Sequence, residues 1–434
     1  MTEAGRRQSR APADYVVVVS AVLCLAGYIF VYATGRADRP IRSDGYTYYV
    51  YLPSWFIFHD TTLSSIAQDC CGGEFPAFSV IIRWPGTRRW VNPHPIGVAV
   101  MQAPFFLVAH ALTKWTNLSP DGFTLYYQHG AGLAGLAWTI AGLWILRNFL
   151  RRHFSDGVTA AAVIVTLLGT NLYHYATFDS SYSHAYSFCL FAAFLDLTDR
   201  WYASPTRLVS FLLGLTSGLI VLTRHTNVLF LVCFPLYGLT RGLIADRIRL
   251  FRDQRRLLTM AIVTAILVVV PQLALYYRAT GHLLISAYGD LGFNFPPQLF
   301  GVLFSVQKGV FFWSPVLLLA VAGLVIGRSA ARPLQVPATV FLIANTLVIA
   351  SWWDWQFGGS YGHRGFVDAM PIFAVGLASF FEWSTERPRV RTIVTIATSA
   401  AVALCVFQML QYWNGTLPMS DTTWEQYRAL FRRL

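Results

Sequence analysis

Long apolar runs, separated by short polar stretches, recur from one end of the chain to the other. Most of them contain about 20 residues, the length that an α-helix needs to cross the hydrocarbon core of a bilayer. The pattern therefore predicts an all-α membrane protein. The apolar segments are 15–34, 94–113, 122–146, 158–177, 182–199, 208–223, 226–240, 257–277, 313–327, 334–352, 369–383 and 392–411.

The first apolar run could be taken for a signal peptide, because Arg6, Arg7 and Arg10 precede it. It is long enough to span a bilayer, however, and no A-x-A cleavage pattern follows it. We therefore expect segment 15–34 to be retained as the first transmembrane helix.

The arginine distribution limits the number of crossings. If every apolar segment crossed, the arginine-rich stretches 147–153 and 241–256 would lie outside, although positively charged short loops normally stay in the cytoplasm. Segment 94–113 opens with "NPHPIG" and contains Pro104 and His110, so we expect it to be a membrane-surface or re-entrant helix. About eleven spans then remain, with the N-terminus inside and the C-terminus outside.

This interpretation predicts one transmembrane domain over residues 1–434. Its predicted external parts are a long first loop with juxtamembrane helices at 35–121, two further loops at 278–312 and 352–368, and a surface tail at 412–434. The tail has apolar residues near helical spacing, which is typical of a helix lying along a membrane surface.

Composition adds two constraints. The net charge of +12 would suit nucleic acid, but arginines in cytoplasmic loops explain it without such a partner. The chain has six cysteines and no C-x-x-C pair, so a zinc or iron–sulfur site is not indicated. Cys70 and Cys71 are adjacent in a predicted loop, and a vicinal disulfide between them is one alternative.

Polar side chains gather at the span ends that are predicted to be external. Several cations and few acids at one membrane face suit an anionic ligand presented at the membrane surface. The set comprises Arg42, Asp44, His94, Asp179, His184, Arg224, His225, Asn227, Lys308, Tyr361, His363 and Arg364.

The cations and histidines of this set have structural alternatives. Arg224 and Arg364 could extend to lipid headgroups, as arginines at helix ends do. His184 and His363 could be hydrogen-bonded residues of the interface with no chemical role.

The string "DGYTYYVY" also has two interpretations. Its tyrosines, including Tyr46 and Tyr49, could belong to an interfacial aromatic belt rather than to a binding surface. Asp44 could cap a surface helix. Gly45, directly after it, indicates a close backbone approach or a tight turn.

The order of several strings resembles a known superfamily. "NPHPIGVAVMQAPFFLVAH" is similar to the H-P-P-L-G-K stretch of GT-C membrane glycosyltransferases, although a proline precedes the His and the Lys is absent. "SDGYTYYVYLPS", "SSYSHAYSF", "GVFFWSPVLLL" and "GGSYGHRGFVDAMP" resemble a bacterial subgroup of that superfamily. The resemblance covers nearly the full chain and extends to protein O-mannosyltransferases and lipid A aminoarabinose transferases.

The resemblance implies a bundle of about eleven transmembrane helices in the bacterial inner membrane, with an active site facing the periplasm. It implies sugar transfer from a polyprenyl-phosphate donor to a hydroxyl of a glycan, lipid or protein acceptor, with Asp44 by position as the catalytic base. Gly45 stands where some members carry a second acid. Some members use a divalent metal; Asp44, Asp179 and His184 could approach one another, but their spacing does not require a metal and we predict none.

This chemistry also fits the residues themselves. An inverting transfer needs one base for the acceptor hydroxyl, and a polyprenyl phosphate leaves as an anion that needs positive charge rather than a proton. Arginine's planar fork suits phosphate oxygens. The predicted donor-phosphate ligands are Arg364, Arg224, Lys308 and Arg42. The predicted sugar contacts are Tyr46, Tyr49, His94, Asp179, His184, Tyr361 and His363.

Two other classes of function remain open. One is a transporter or flippase for lipid-linked sugars, and the other is a non-catalytic protein that binds them. Transporters often have two related halves and polar residues near the middle of the membrane. This chain shows no internal repeat, and its polar residues gather at one predicted face, which favours an enzyme.

Overall fold

The computed structural model describes residues 11–76, 79–239, 243–286, 292–326 and 331–432. Within these ranges the regular structure is almost entirely helical, which confirms the predicted all-α class. One short antiparallel hairpin, β1 (Ile82–Arg83) and β2 (Trp90–Val91), pairs Ile82 with Val91 in the loop after the juxtamembrane helices.

The helices are numbered in chain order. Up to residue 223 they are α1 Ala11–Ala33, α2 Asp44–Tyr49, α3 Tyr51–Phe56, α4 Ser64–Cys71, α5 Gly97–Trp115, α6 Leu125–Arg151, α7 Asp156–Leu168, α8 Leu172–Thr177, α9 Ser183–Ala203 and α10 Arg207–Thr223. After that they are α11 Cys233–Leu236, α12 Ile244–Asp253, α13 Arg255–Thr280, α14 Leu299–Phe304, α15 Val310–Trp313, α16 Val316–Ile326, α17 Arg332–Ser351, α18 Met370–Thr385, α19 Pro388–Trp413 and α20 Trp424–Phe431. Two 3₁₀ helices, His225–Val232 and Arg364–Ala369, precede α11 and α18.

Seven helices in the described part of the chain are long and apolar enough to cross a membrane. They are Pro12–Ala33, Gly97–Trp115, Leu125–Arg151, Arg255–Thr280, Arg332–Ser351, Arg364–Thr385 and Pro388–Trp413. Four shorter apolar helices, Asp156–Leu168, Arg207–Thr223, His225–Leu236 and Val316–Ile326, fall at other predicted spans. These lengths and compositions define a multi-pass membrane protein, while the count of eleven crossings stays a prediction.

Helix α5, predicted to be a surface or re-entrant helix, is itself long and apolar enough to span. Its contacts show where it lies. Trp138 Nε1 of α6 donates to the Met101 carbonyl at 3.0 Å, and His110 Nδ1 is 2.5 Å from the Tyr127 hydroxyl. Helix α5 therefore runs antiparallel to the first half of α6. The last turn of α6 is beside the start of α1, where Arg147 Nε donates to the Ala13 carbonyl.

Close helix packing depends on glycine at several contacts. A Cβ atom at Gly323 of α16 would lie 1.9 Å from the Gly376 carbonyl oxygen of α18. Similarly, a Cβ atom at Gly135 of α6 would lie 1.6 Å from the Ser180 carbonyl oxygen, in the turn that joins α8 to α9. Small residues at these positions let backbones approach closely, as is common between membrane helices.

We expect Gly135→Ala to lower thermal stability, because a methyl group there overlaps a backbone carbonyl that cannot move without shifting the α8–α9 turn. Such overpacking typically costs about 1–3 kcal/mol. The measurement is the melting temperature of the detergent-purified protein. Gly157→Ala in α7 is the matched control, since no atom lies within 4 Å of the added Cβ. Equal melting temperatures for Gly135→Ala and the wild type would contradict the contact.

Candidate active site

A polar cavity of about 410 Å³ opens at the end of the bundle where α2, the start of α9 and the two 3₁₀ helices meet. The chain after α17 and the residues before α5 complete its wall. Its polar and charged lining residues are Asp44, His94, Ser183, His184, Arg224, His225, Thr226, Asn227, Asn345, Asp354 and Arg364. Much of the polar set predicted from the span ends therefore meets in one place.

Asp44 is the first residue of α2, but it does not act as the helix cap. The N-cap position is Ser43, whose φ is 44° and whose side chain makes no capping hydrogen bond. The Asp44 carboxylate instead accepts a hydrogen bond from Arg364 Nη1, with an Nη1–Oδ2 distance of 2.7 Å. The structure thus places the predicted base and a predicted phosphate ligand in direct contact.

The segment before Asp44 is fixed by several contacts. Arg42 Nη2 pairs with Asp179 Oδ1 at 2.8 Å, and the Ser181 hydroxyl donates to the Pro40 carbonyl at 2.7 Å. A Cβ atom at Gly45 would lie only 2.0 Å from Ser181 Oγ. The close approach expected from glycine is present, so a second acid at position 45 would displace the α8–α9 turn.

The ion pair controls the charge of Asp44. The Asp44 side chain is 30% exposed and that of Arg364 is 14% exposed. Burial opposes ionisation of the Asp44 carboxyl, but the charge of Arg364 holds its pKa below the ordinary value. Asp44 is consequently a carboxylate at neutral pH.

His94 forms one wall of the cavity beside Asp44. Its ring stacks on Tyr48, with centroids 4.4 Å apart and planes 12° apart, and its carbonyl accepts a hydrogen bond from the Tyr51 hydroxyl. Burial lowers the pKa of the His94 imidazole to about 4, so the ring is neutral at pH 7. A neutral ring on a flat aromatic surface suits contact with an uncharged ligand group such as a sugar.

A second carboxylate, Asp368, contacts two residues of the cavity lining and was not predicted. His184 Nδ1 is 2.8 Å from Asp368 Oδ1, and Arg224 Nη1 is 3.5 Å from Asp368 Oδ2. Asp368 is buried, with 3% of its surface exposed. No local spacing marks it, since its partners come from elements distant in the sequence.

Arg42 and Asp179 are neighbours of the site, but they do not line the cavity. Asp179 also contacts His174 Nε2 at 2.8 Å, and the Arg42 guanidinium lies 4.3 Å from the centre of the Phe178 ring. Burial opposes ionisation of Asp179, but Arg42 and His174 hold its pKa well below the ordinary value. This network holds the chain before Asp44 in place. Neither Arg42, predicted to bind the donor phosphate, nor Asp179, predicted to contact the sugar, lines the cavity.

Lys308 also lies outside the cavity lining. Its side chain is buried, and Nζ donates to the carbonyl oxygens of Ser360 and Met419. Burial lowers the pKa of the ammonium group to about 7. Lys308 thus joins the chain after α17 to the tail before α20, and the structure does not bring it to the cavity as the phosphate ligand that was predicted.

Tyr361 and His363 lie behind the cavity wall. The Tyr361 hydroxyl donates to the Cys405 carbonyl at 2.8 Å, and the His363 ring packs edge-on against Phe357 and Phe366. Burial lowers the pKa of His363 to about 3, which keeps its ring neutral at pH 7. Neither Tyr361 nor His363, both predicted to contact the sugar, is among the residues that line the cavity.

The tyrosines of α2 divide between the cavity and the packing below it. Tyr46 stacks on Phe123, with centroids 5.7 Å apart, and the Tyr49 hydroxyl donates to the Gly122 carbonyl at 2.6 Å. Neither lines the cavity, whereas Tyr48 does. The sequence identified the aromatic helix but not which face of it meets the ligand space.

The adjacent cysteines form the vicinal disulfide that the sequence left as an alternative. Cys70 and Cys71 are bonded at the end of α4, and Cys70 Sγ is 3.4 Å from the Tyr46 hydroxyl. The bond therefore contacts the helix that carries Asp44 through Tyr46, and neither cysteine lines the cavity.

No group of three or more His, Cys, Asp and Glu side chains within the described ranges is placed to hold a metal ion. The three residues considered for a metal have other partners: Asp44 pairs with Arg364, Asp179 with Arg42, and His184 with Asp368. We assign no metal ligand.

An apolar groove of about 600 Å³ lies beside the cavity, between α5, α10 and α13. Pro95 lines the cavity and the next residue, Ile96, lines the groove, so the two spaces adjoin. The groove residues are Trp55, Ile96, Val100, Leu215, Leu219, Leu222, Val268, Pro271, Ala274, Leu275 and Arg278. From Leu215 to Leu222 the groove follows α10 for about 10 Å, at 1.5 Å per residue.

No protein-family model and no curated protein matches the chain. Among solved structures, the chain is similar to the apo form of the oligosaccharyltransferase from Archaeoglobus fulgidus, with a TM-score of 0.47 and 10% sequence identity. The match covers 93% of this chain and 54% of that one, so this chain spans about half the length of the archaeal protein.

Proposed function

We propose that this protein is a GT-C-type glycosyltransferase that moves a sugar from a polyprenyl-phosphate donor to an acceptor hydroxyl, with inversion at the anomeric carbon. The observation that carries the proposal is the junction of a cavity lined by Asp44, Arg224 and Arg364 with an apolar groove. A lipid-linked anionic sugar needs both kinds of surface. The site is proposed to face the periplasm of a bacterial inner membrane, with a glycan, lipid or protein as acceptor.

Arg364 and Arg224 are the proposed ligands of the donor phosphate. Both line the cavity, and both guanidinium groups lie beside carboxylates that hold them in place. The fork of an arginine matches two phosphate oxygens, and its positive charge stabilises the negative charge that builds up on the leaving phosphate. No acid is needed to protonate that leaving group.

Asp44 is the proposed base. It is a carboxylate at neutral pH, it borders the cavity, and it lies beside Arg364. As the acceptor oxygen attacks the anomeric carbon, Asp44 takes the hydroxyl proton. One carboxylate is sufficient for this reaction, which agrees with glycine at position 45.

The groove is proposed to hold the first isoprene units of the donor. We expect Leu219→Trp to weaken binding of a long-chain polyprenyl-phosphate sugar, because the larger ring fills space between α10 and α13. Binding of a short-chain analogue, which does not reach Leu219, should stay unchanged. The measurement is the Kd of both ligands for the purified variant, with wild type as reference. Equal weakening for both chain lengths would contradict this path.

The activity itself is tested by incubating purified protein in lipid nanodiscs with radiolabelled polyprenyl-phosphate sugars and candidate acceptors. Sugar transfer that consumes the donor supports the proposal. Movement of an intact donor across the bilayer of reconstituted vesicles, without its consumption, would identify a transporter and overturn it.

A further inference from the structure

His184 and Asp368 form a buried pair at the cavity. His184 Nδ1 is 2.8 Å from Asp368 Oδ1, and the side chains are each only 4% exposed. His184 is the second residue of α9, while Asp368 lies in the 3₁₀ helix before α18, so the contact joins two separate parts of the bundle. The proposed reaction described above does not use either residue.

The pairing selects one tautomer of the histidine. A carboxylate only accepts hydrogen bonds, so Nδ1 carries the proton that it donates to Asp368. The other ring nitrogen, Nε2, is then a proton acceptor in a residue that lines the cavity. A carboxylate that fixes the tautomer of a histidine also stabilises the imidazolium that forms when Nε2 is protonated.

Asp44 needs a second group that accepts the proton it removes from the acceptor hydroxyl. Because Arg364 holds its pKa below the ordinary value, Asp44 does not retain a proton at neutral pH. The Asp368 carboxylate, 2.8 Å from His184 Nδ1, stabilises a protonated His184 ring by its charge and by the hydrogen bond that it accepts. His184 and Asp44 both line the cavity.

We propose that His184, oriented by Asp368, takes up the proton that Asp44 removes from the acceptor hydroxyl and holds it until product leaves. This inference rests on the proposed sugar transfer. The acceptor O–H bond breaks and its oxygen bonds to the anomeric carbon, while the bond from that carbon to the phosphate oxygen breaks. The electron pair of that bond leaves with the phosphate, and the proton passes through Asp44 to His184 Nε2.

The charges in the cavity support this assignment. Two guanidinium groups, on Arg224 and Arg364, face three carboxylates, those of Asp44 and Asp354 in the cavity lining and that of Asp368. A bound phosphodiester donor adds one negative charge, and the phosphate monoester released after transfer carries two. Retaining the proton on His184 offsets the second charge, so the partly buried site does not become more negative during transfer, which would be costly.

The test compares His184→Asn with the wild type. The asparagine amide can still donate to Asp368 from the position of Nδ1, but it has no equivalent of Nε2. We expect kcat to fall about 100-fold or more, in the range of general base contributions, with donor Kd and melting temperature near wild-type values. Exposed His59, replaced as His59→Asn, is the matched control and should keep wild-type turnover.

A second variant tests the proton role directly. His184→Ala leaves space at the cavity, and added imidazole should restore at least tenfold of the lost turnover. Asp368→Asn should lower kcat without rescue by imidazole. Wild-type kcat in His184→Asn, or a His184→Ala variant that binds donor but is not rescued, would overturn the proton-accepting pair. Absence of sugar transfer by the wild type would instead overturn the proposed function.

Discussion

Asp44→Asn should abolish sugar transfer while the protein still inserts and binds its donor. The asparagine amide is close in shape to the carboxylate and can accept a hydrogen bond from Arg364, but it cannot take the acceptor proton. Loss of a general base costs about 10²- to 10⁴-fold, and we expect kcat to fall at least 10³-fold. Donor affinity should stay equal or rise, because the positive charge of Arg364 is no longer neutralised by Asp44.

The measurements are single-turnover transfer rates and donor Kd for the purified variant in nanodiscs. Asp38→Asn is the matched control, since Asp38 is exposed in the same loop and does not line the cavity. A near-normal transfer rate in Asp44→Asn, with an active wild type measured alongside, would rule out Asp44 as the base. An equal fall of the transfer rate in Asp38→Asn would show that the effect comes from the net charge of the loop and not from Asp44 itself.

The helical architecture could be predicted from the sequence because membrane-spanning helices are recognisable by their length and apolar composition. The sequence also placed Asp44 and Arg364 at the same predicted membrane face, although 320 positions separate them, and in the structure they are in contact. The reason is topological. Polar residues at the ends of apolar segments can meet only at the ends of the bundle, so those predicted at one face had a good chance of being neighbours.

The same reasoning could not say which way each side chain points within its loop. Lys308, Tyr361 and His363 lie in the predicted external loops that also supply cavity residues. Their partners, however, are backbone carbonyls and aromatic rings outside the cavity lining. A loop residue has no periodicity from which to read its facing side. The division of the α2 tyrosines shows this in a helix of only six residues, too short for a clear apolar face.

Asp368 was not predicted to belong to the site. It directly precedes the apolar segment 369–383, and a single acid at that position is also typical of the end of a helix. Its role depends on the partners His184 and Arg224, which come from elements distant in the sequence. Such a pairing between elements follows from tertiary packing and has no local signature.

The second large effect is expected from Arg364→Ala, which removes a proposed phosphate ligand and leaves Asp44 without its ion-pair partner. Charge-assisted hydrogen bonds contribute about 1.5–3 kcal/mol each, so donor Kd should rise about 100-fold, equivalent to about 2.7 kcal/mol. Turnover should also fall, because the leaving phosphate loses stabilising charge. Both effects are measured by titrating the variant with donor and by single-turnover transfer at saturating donor.

Two further variants separate these causes. Arg364→Lys keeps the positive charge beside Asp44 but loses the planar fork, so its donor Kd should lie between those of the wild type and Arg364→Ala. Arg39→Ala removes an exposed arginine from the loop before α2 and should leave donor Kd unchanged. An unaltered donor Kd in a folded Arg364→Ala protein would show that Arg364 serves only to hold Asp44, and the phosphate would then need another ligand among the cations of the cavity.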